Sequence, residues 1–394
     1  MRARTRSTGI GLAALLLSPA IGCQAQDSAT PPTLSGHPTP SSPAKHSRGF
    51  TLVASGDVLP HMSIIEKARQ DAGGGGYDFR PMLAGVKSVV AGADLAICHM
   101  ETVYGADGNY SGYPTFKSPP QVAEGLAVTG YDGCSTASNH TLDDGAAGIH
   151  RTLDALDRAG VRHAGSARTA QEAGSPTLMR AGGAQLAHLA YTYGTNGIPL
   201  PADRPWVVNL IDRERILADA RAARKAGADV VVVSLHWGTE WQDAPDAQQL
   251  SLGEQLTSAA TDGRPDIDLI LGTHAHVPQA YEKVNGTWVV YGMGDQIAGA
   301  MINHSGAHDP RGNQGTLARF TFAPPTREGA RWEVTRAEFV PQWFDVGSGR
   351  VVNLNAVIES GTGTAVADVT AVRDRIRDVV LSRGAAQDGL AMGR

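Results

Sequence analysis

From residue 50 onward, short apolar runs halted by glycine or polar clusters alternate with longer stretches whose apolar positions recur at helical spacing. Residues 50–54, 94–98 and 133–137 predict strands, with helices over residues 82–90 and 122–129. Gly145–Ala159 places Ile149, Leu153 and Leu156 on one helical face, and Gly160 follows where a left-handed cap belongs. Asp212 suits the N-cap of a helix running to Ala226, with Gly227 as its stop. Residues 228–235 are apolar almost throughout, which predicts a strand covered on both faces. A helix over 248–261, strands starting near Asp268, Trp288, Gly315 and Arg331, and a closing helix over 368–382 complete the series. Strands alternating with helices predict an α/β fold with a largely parallel sheet. The later strands have no helices between them and predict an antiparallel addition to the same body. No internal repeat and no second linker divides the chain.

The N-terminus reads differently. Arg2, Arg4 and Arg6 precede a short apolar stretch from Ile10 to Ile21, the pattern of an export signal and too short for a stable membrane span. It ends at Ala20-Ile21-Gly22-Cys23, similar to a bacterial lipoprotein signal in which Cys23 is lipidated, although Ala20 stands where leucine is usual. Simple secretion after an Ala-x-Ala-like site is the alternative. Residues 24–49 are rich in Pro, Ser, Thr and Ala and predict a flexible tether carrying His37 and His46. The expected organisation is a signal over 1–23, a tether over 24–49, one domain over 50–345 and a C-terminal extension with a helix over 346–394. Cys98 and Cys134 are the other cysteines; an exported protein can pair them, and two buried free thiols are the alternative.

The 394 residues are 42% hydrophobic and 19% charged, enough for a substantial core. Net charge is −5 and no basic block occurs, which argues against a nucleic-acid partner. An anionic polymer would have to be gripped by a local cation.

The chemistry gathers just past the predicted strand ends. Asp57 ends the first, with His61 four residues on. Cys98-His99-Met100-Glu101 ends the second, and Ser138-Asn139-His140 follows the third, with Asp143 and Gly145 beyond. His236-Trp237-Gly238-Thr239-Glu240 ends the long apolar strand, and Gly272-Thr273-His274-Ala275-His276 the next. A lone His-x-His reads equally as two loop residues. Five such endings would collect carboxylates, an amide and several imidazoles at one rim, the place where open α/β sheets keep ligands. This mix suits Mn²⁺, Zn²⁺ or Fe²⁺, with too few oxygens for calcium and no thiolate cluster.

The ordered set S-G-D, H-M-E, S-N-H-x-x-D-x-G, H-W-G-x-E, G-x-H-x-H-V-x-Q and Y-G-M-G-D resembles the bacterial capsule-synthesis CapA, or poly-γ-glutamate synthesis, family, itself similar to calcineurin-like metallophosphoesterases. The resemblance covers about residues 50 to 345. It implies a layered α-β-β-α sandwich with mixed sheets and one or two divalent ions. It also implies that Asp57, Glu101, Asn139, His236, His274 and His276 bind metal and that His140 assists the leaving group. The superfamily's D-x-H is absent, with His61 a loose substitute, and H-M-E stands where the family often has N-x-E. Asp143 reads either as the residue orienting His140 or as a helix N-cap. Trp237 and Glu240 are candidates for the substrate cleft, Trp237 equally for packing. Lys117 reads as a grip for a substrate carboxylate or as a solvated lysine. The role of Asp295 stays open, and His99, His163, His188 and His304 read as structural or surface residues. The resemblance implies a link to capsule or poly-γ-glutamate synthesis, export or trimming, and partnership with a membrane synthase. Activity would be that of a phosphoesterase-like or γ-glutamyl amide hydrolase; a non-catalytic polymer-binding partner is the rival reading, and a nucleotidase a third.

Overall fold

The computed structural model describes residues 48–327, 329–361 and 366–394. The expected signal segment, Cys23 and almost all of the tether lie outside the described residues. The described residues from Arg48 onward form one compact unit.

Two mixed sheets form its centre. In the first, Phe50–Leu59, Leu95–Met100, Gly133–Ser135 and Arg162–Ala164 run parallel. On the other side of Phe50–Leu59, Gln314–Ala323, Glu333–Asp345 and Arg350–Asn353 add antiparallel to one another, and Asp295–Ala298 pairs parallel with the end of Phe50–Leu59. In the second sheet, Ala184–Thr192, Val230–His236, Leu269–Thr273 and Thr287–Val290 are parallel. Thr177–Ala181 and Tyr281–Val284 close its edges as antiparallel hairpin partners.

The period-two rule decides which side chains meet. Leu52, Ala54, Leu95 and Ile97 of the first sheet pack with Leu186, Val230, Val232, Leu269 and Leu271 of the second. Their neighbours Val53, Ala96, Cys98 and Met100 face the other way, toward Ile149, Leu153 and Leu156 of helix Gly145–Ala159. Val231, Val233 and Ile270 likewise meet Ile216 and Leu217 of helix Arg213–Lys225 and Leu252 and Leu256 of helix Ala247–Thr257. The result is helix, sheet, sheet, helix, the layering the motifs imply. Each buried valine or leucine in these layers contributes roughly 1.5–3 kcal/mol.

Local signals act as expected at several ends. Asp212 Oδ1 accepts a hydrogen bond from the Arg215 backbone N–H, capping Arg213–Lys225. Gly160 takes φ 78° after Gly145–Ala159. Several elements depart from expectation: the helix Met62–Asp71 was not anticipated, and the expected helix over 248–261 ends at Thr257. The expected helix over 82–90 is a 3₁₀ turn, Pro81–Val86, running into the short helix Lys87–Ala91. The hairpin Thr177–Ala181 and Ala184–Thr192 was not anticipated, although Gly182 and Gly183, at φ 58° and 93°, are the turn such a hairpin requires.

The expected C-terminal extension is part of the body. Leu390–Met392 joins the first sheet beside Glu333–Asp345, and Val369, Ile376 and Val380 of helix Val366–Val380 pack into the core between the sheets. Cys98 and Cys134, register partners on neighbouring strands, form a disulfide. No helix among the described residues is long and apolar enough to cross a membrane.

Candidate metal centre

The same alternation that fills the core builds the site. His99 follows Ile97 by two and His236 follows Val232 by four, so both imidazoles point between the sheets where the apolar rows end. The rings lie 4.7 Å apart, inclined by 26°. Asp57 lies inside Phe50–Leu59, just after a register irregularity between Ala54 and Asp57. Such irregularities re-aim side chains. Opposite it on the adjacent strand is Asp295.

The second-sheet loop supplies two more rings. His274 and His276 adopt φ 92° and 57°, a region costly for residues other than glycine by about 1–3 kcal/mol each. This tight path lets the His274 backbone N–H donate to Asp57 Oδ2 (3.1 Å). It also sets His276 Nδ1 2.9 Å from Asp295 Oδ1 and 3.9 Å from Asp57 Oδ2. His274 lies 4.7 Å from His236, ring to ring. His236 Nε2 is 3.8 Å from Glu101 Oε1 and 2.9 Å from Asn139 Oδ1. The Asn139 amide donates to Asn196 Oδ1 (3.2 Å), which turns its oxygen toward His236. Asp57, Glu101, Asn139, His236, His274 and His276 thus meet in one buried cluster.

His140 lies beside it, its ring 4.8 Å from Phe116. Asp143 Oδ2 accepts from the Phe116 backbone N–H (2.6 Å) and lies 2.7 Å from His140 Nδ1. Of the two readings of Asp143, the geometry is that of orienting His140; the N-cap position belongs to Asp144.

Other candidates fall elsewhere. Trp237 is 1% exposed, stacks on Tyr291 and donates its indole N–H to the Tyr291 carbonyl, so it packs the outer layer and does not face the cleft. Lys117 donates to Asn109 Oδ1 on an exposed segment. Glu240 stays at the rim, 4.0 Å from His274 and 3.4 Å from the exposed His304. His61 packs against Phe116 and accepts from, or donates to, backbone groups of Gly299 and Leu59; burial lowers it to about 4. His163 pairs with Asp157 and His188 with Ser234, as structural residues. His99, expected with them, instead belongs to the cluster. Tyr193, missed along with its strand, lies over the rings of His274 and His236 at 4.5 Å and 6.3 Å.

The electrostatics call for a cation. Asp57 and Glu101 are wholly buried, and burial, then neighbouring carboxylates, pushes both well above the carboxylate range; burial also raises Asp295. Among the described residues, every ion-pair partner of these three is a histidine. Burial disfavours charge on His276, but Asp295, Glu101 and Asp57 outweigh it and hold its pKa well above the usual value. Burial keeps His236 and His274 neutral, with pKa values well below the usual one, and takes His99 to about 3. Both Glu101 carboxylate oxygens, Asp295 Oδ2, His99 Nε2 and His274 Nδ1 are buried without a hydrogen-bond partner. Buried polar atoms of this kind are rare unless something binds them. Neutral imidazoles and carboxylates with free lone pairs form a donor set suited to divalent ions. Three groupings, Asp57/His99/His236, Asp57/His276/Asp295 and Glu240/His274/His276, bring ligand atoms within 4.8 Å of one another.

The chain is similar to several known proteins. The chain is 27% identical over 216 residues to a probable polyglutamine synthesis accessory protein of Mycobacterium tuberculosis, covering 52% of this chain and 55% of that protein. It is 28% identical to a poly-γ-glutamate (PGA) biosynthesis protein CapA of Bacillus subtilis, covering 41% of each. A capsule biosynthesis protein CapA of Bacillus anthracis is 24% identical, covering 45% of this chain and 42% of that one. The matched stretch thus spans about half the length of these relatives or less. Among solved structures, a putative 5′-nucleotidase of Staphylococcus aureus is similar at 15% identity and TM-score 0.46, covering 83% of this chain and 58% of that one. A calcineurin-like phosphoesterase of Bacillus subtilis is similar at 14% identity and TM-score 0.38, covering 84% and 97%. Residues 51–300 match the family described as bacterial capsule synthesis protein PGA_cap, and the chain belongs to that family.

Proposed function

We propose that this protein is an extracytoplasmic metal-dependent hydrolase that acts in the synthesis, export or trimming of capsule material or poly-γ-glutamate. The observation that carries this reading is the buried triad Asp57, Glu101 and Asp295, whose ion-pair partners among the described residues are all histidines. One or two Mn²⁺, Zn²⁺ or Fe²⁺ ions held by these carboxylates with Asn139, His236, His274 and His276 would supply Lewis acidity toward a phosphoryl or acyl oxygen.

The chain's own groups have defined parts. Asp143 engages Nδ1 of His140, which leaves Nε2 to exchange a proton with a leaving group. Glu240 and the half-exposed Tyr193 border the mouth and would contact substrate. The Lys117 ammonium, held by Asn109, has no part in this reading. The Cys98–Cys134 bridge suits an oxidising compartment, and the basic and apolar start ending at Cys23 suits export, with lipid anchoring at the outer face of the cell membrane through a tether over 24–49, or secretion. The anionic polymer would be met by bound cations, without a basic surface.

The test is turnover by the purified full chain loaded with Mn²⁺, on phosphate-ester and γ-glutamyl substrates. His140→Ala is expected to abolish turnover while metal content stays unchanged; activity surviving that change removes His140 from the mechanism. The name of the mycobacterial relative, an accessory protein, favours a second reading in which the cleft holds polymer beside a membrane synthase without cleaving it. Tight polymer binding with metal bound and no turnover would select the second.

A further inference from the structure

We propose that His99 is a metal ligand of this centre, binding through Nε2, and that Ser135 sets the tautomer that makes it one. The inference rests on the metal-centre reading and deepens it.

His99 is 2% exposed and faces the gap between the sheets. Its Nδ1 lies 2.7 Å from Ser135 Oγ. That hydroxyl carries one hydrogen, which can turn to the Cys98 carbonyl 3.4 Å away. In the proposed tautomer Nδ1–H donates to Ser135 Oγ, so Nε2 carries a lone pair. The atom has no hydrogen-bond partner. It lies 3.7 Å from Asp57 Oδ1, too long for a hydrogen bond in either tautomer. A lone pair facing an ionised carboxylate across that gap is repelled unless a cation lies between them. The grouping Asp57, His99, His236 has ligand atoms within 4.8 Å of one another, a separation one coordinated ion can span. Stacking on His236 at 4.7 Å steadies the ring.

The Ser135 contact is a hydroxyl version of the carboxylate or carbonyl that usually steadies a ligating imidazole. It is built into the strands: His99 and Ser135 are register partners, next to the bridged pair Cys98 and Cys134.

The test is titration of the chelated full chain with Co²⁺, read by visible absorption and by metal stoichiometry in native mass spectrometry. His99→Phe keeps a ring on His236 and removes the nitrogens. It is expected to weaken one Co²⁺ site by more than about 100-fold and to change the absorption bands, while Ser135→Ala weakens the same site about 10- to 100-fold. Circular dichroism and melting of the chelated variants establish that they are folded. If His99→Phe does not fold, Ser135→Ala decides. Unchanged affinity and spectrum in the folded variants overturns the role of His99. A parent protein that takes up no Co²⁺ defeats the metal-centre reading itself, which is a separate result.

Discussion

Asp57 and Asp295 stand opposite each other on neighbouring parallel strands, and His276 Nδ1 approaches both carboxylates. Each follows a glycine, and the glycines bring them this close: a Cβ on Gly56 would lie 1.7 Å from the Gly294 carbonyl oxygen. Burial, with the repulsion of Asp295, lifts Asp57 far above an ordinary carboxylate. The fold thus forces together two carboxyl groups that would repel each other if both were ionised.

Gly56→Ala is expected to destabilise the protein by about 1–3 kcal/mol, because the added methyl meets backbone, which cannot rotate away. Thermal or urea unfolding measures the loss. A variant as stable as the parent would mean that the two strand ends do not touch.

Chelation should reverse the usual course of stability with pH. Asp57, Glu101, Asp295 and His276 are all raised in the folded state, so their contribution is present at low pH and is lost as pH rises through their folded values. His236 and His274 are lowered and act oppositely, but only below the unfolded value of about 6.5. Above about pH 6.5 the lowered histidines no longer give a slope, and the chelated protein should lose stability as pH rises through the folded value of His276. Saturating Mn²⁺ should flatten that slope and add about 2.7 kcal/mol at a hundredfold excess over Kd. Urea titrations with and without EDTA decide, and rising stability of the chelated protein over this range would contradict the argument.

The same raised groups hold protons when no metal is bound. Metal uptake should therefore release protons, and apparent affinity should climb as pH rises through their folded values. Calorimetry in two buffers of different ionisation enthalpy reads the release. Asp295→Asn should lower affinity about 10- to 100-fold and reduce the protons released, because His276 loses its nearest carboxylate. Equal release from parent and variant would separate His276 from the centre.

Losing the Cys98–Cys134 bridge, by Cys134→Ala with Cys98→Ala, should cost about 2–4 kcal/mol. The effect should match that of reductant on the parent. An unchanged melting temperature in reductant would show that the bridge does not form in solution.

Reading along the chain reached far into this fold. Helix Gly145–Ala159 and the cap at Asp212 are visible because spacing and capping act over a few residues. The glycine-ended apolar runs give the strands for the same reason, and the family motifs pointed to six residues that do converge. Local pattern did not reveal Ala184–Thr192, whose alternation is broken by Gln185 and His188, and with it Tyr193 and Asn196 went unseen. Nor did it tell Trp237 in the core from a residue of the cleft. His99 looked like an ordinary strand histidine until its face was known. Such assignments depend on which side of a strand looks toward the other sheet, and on partners such as Asp295 and Ser135 that are distant in sequence. Spacing along a chain encodes periodicity and turns. Whether a polar side chain ends beside a second charge is decided only when two sheets stack and their registers align.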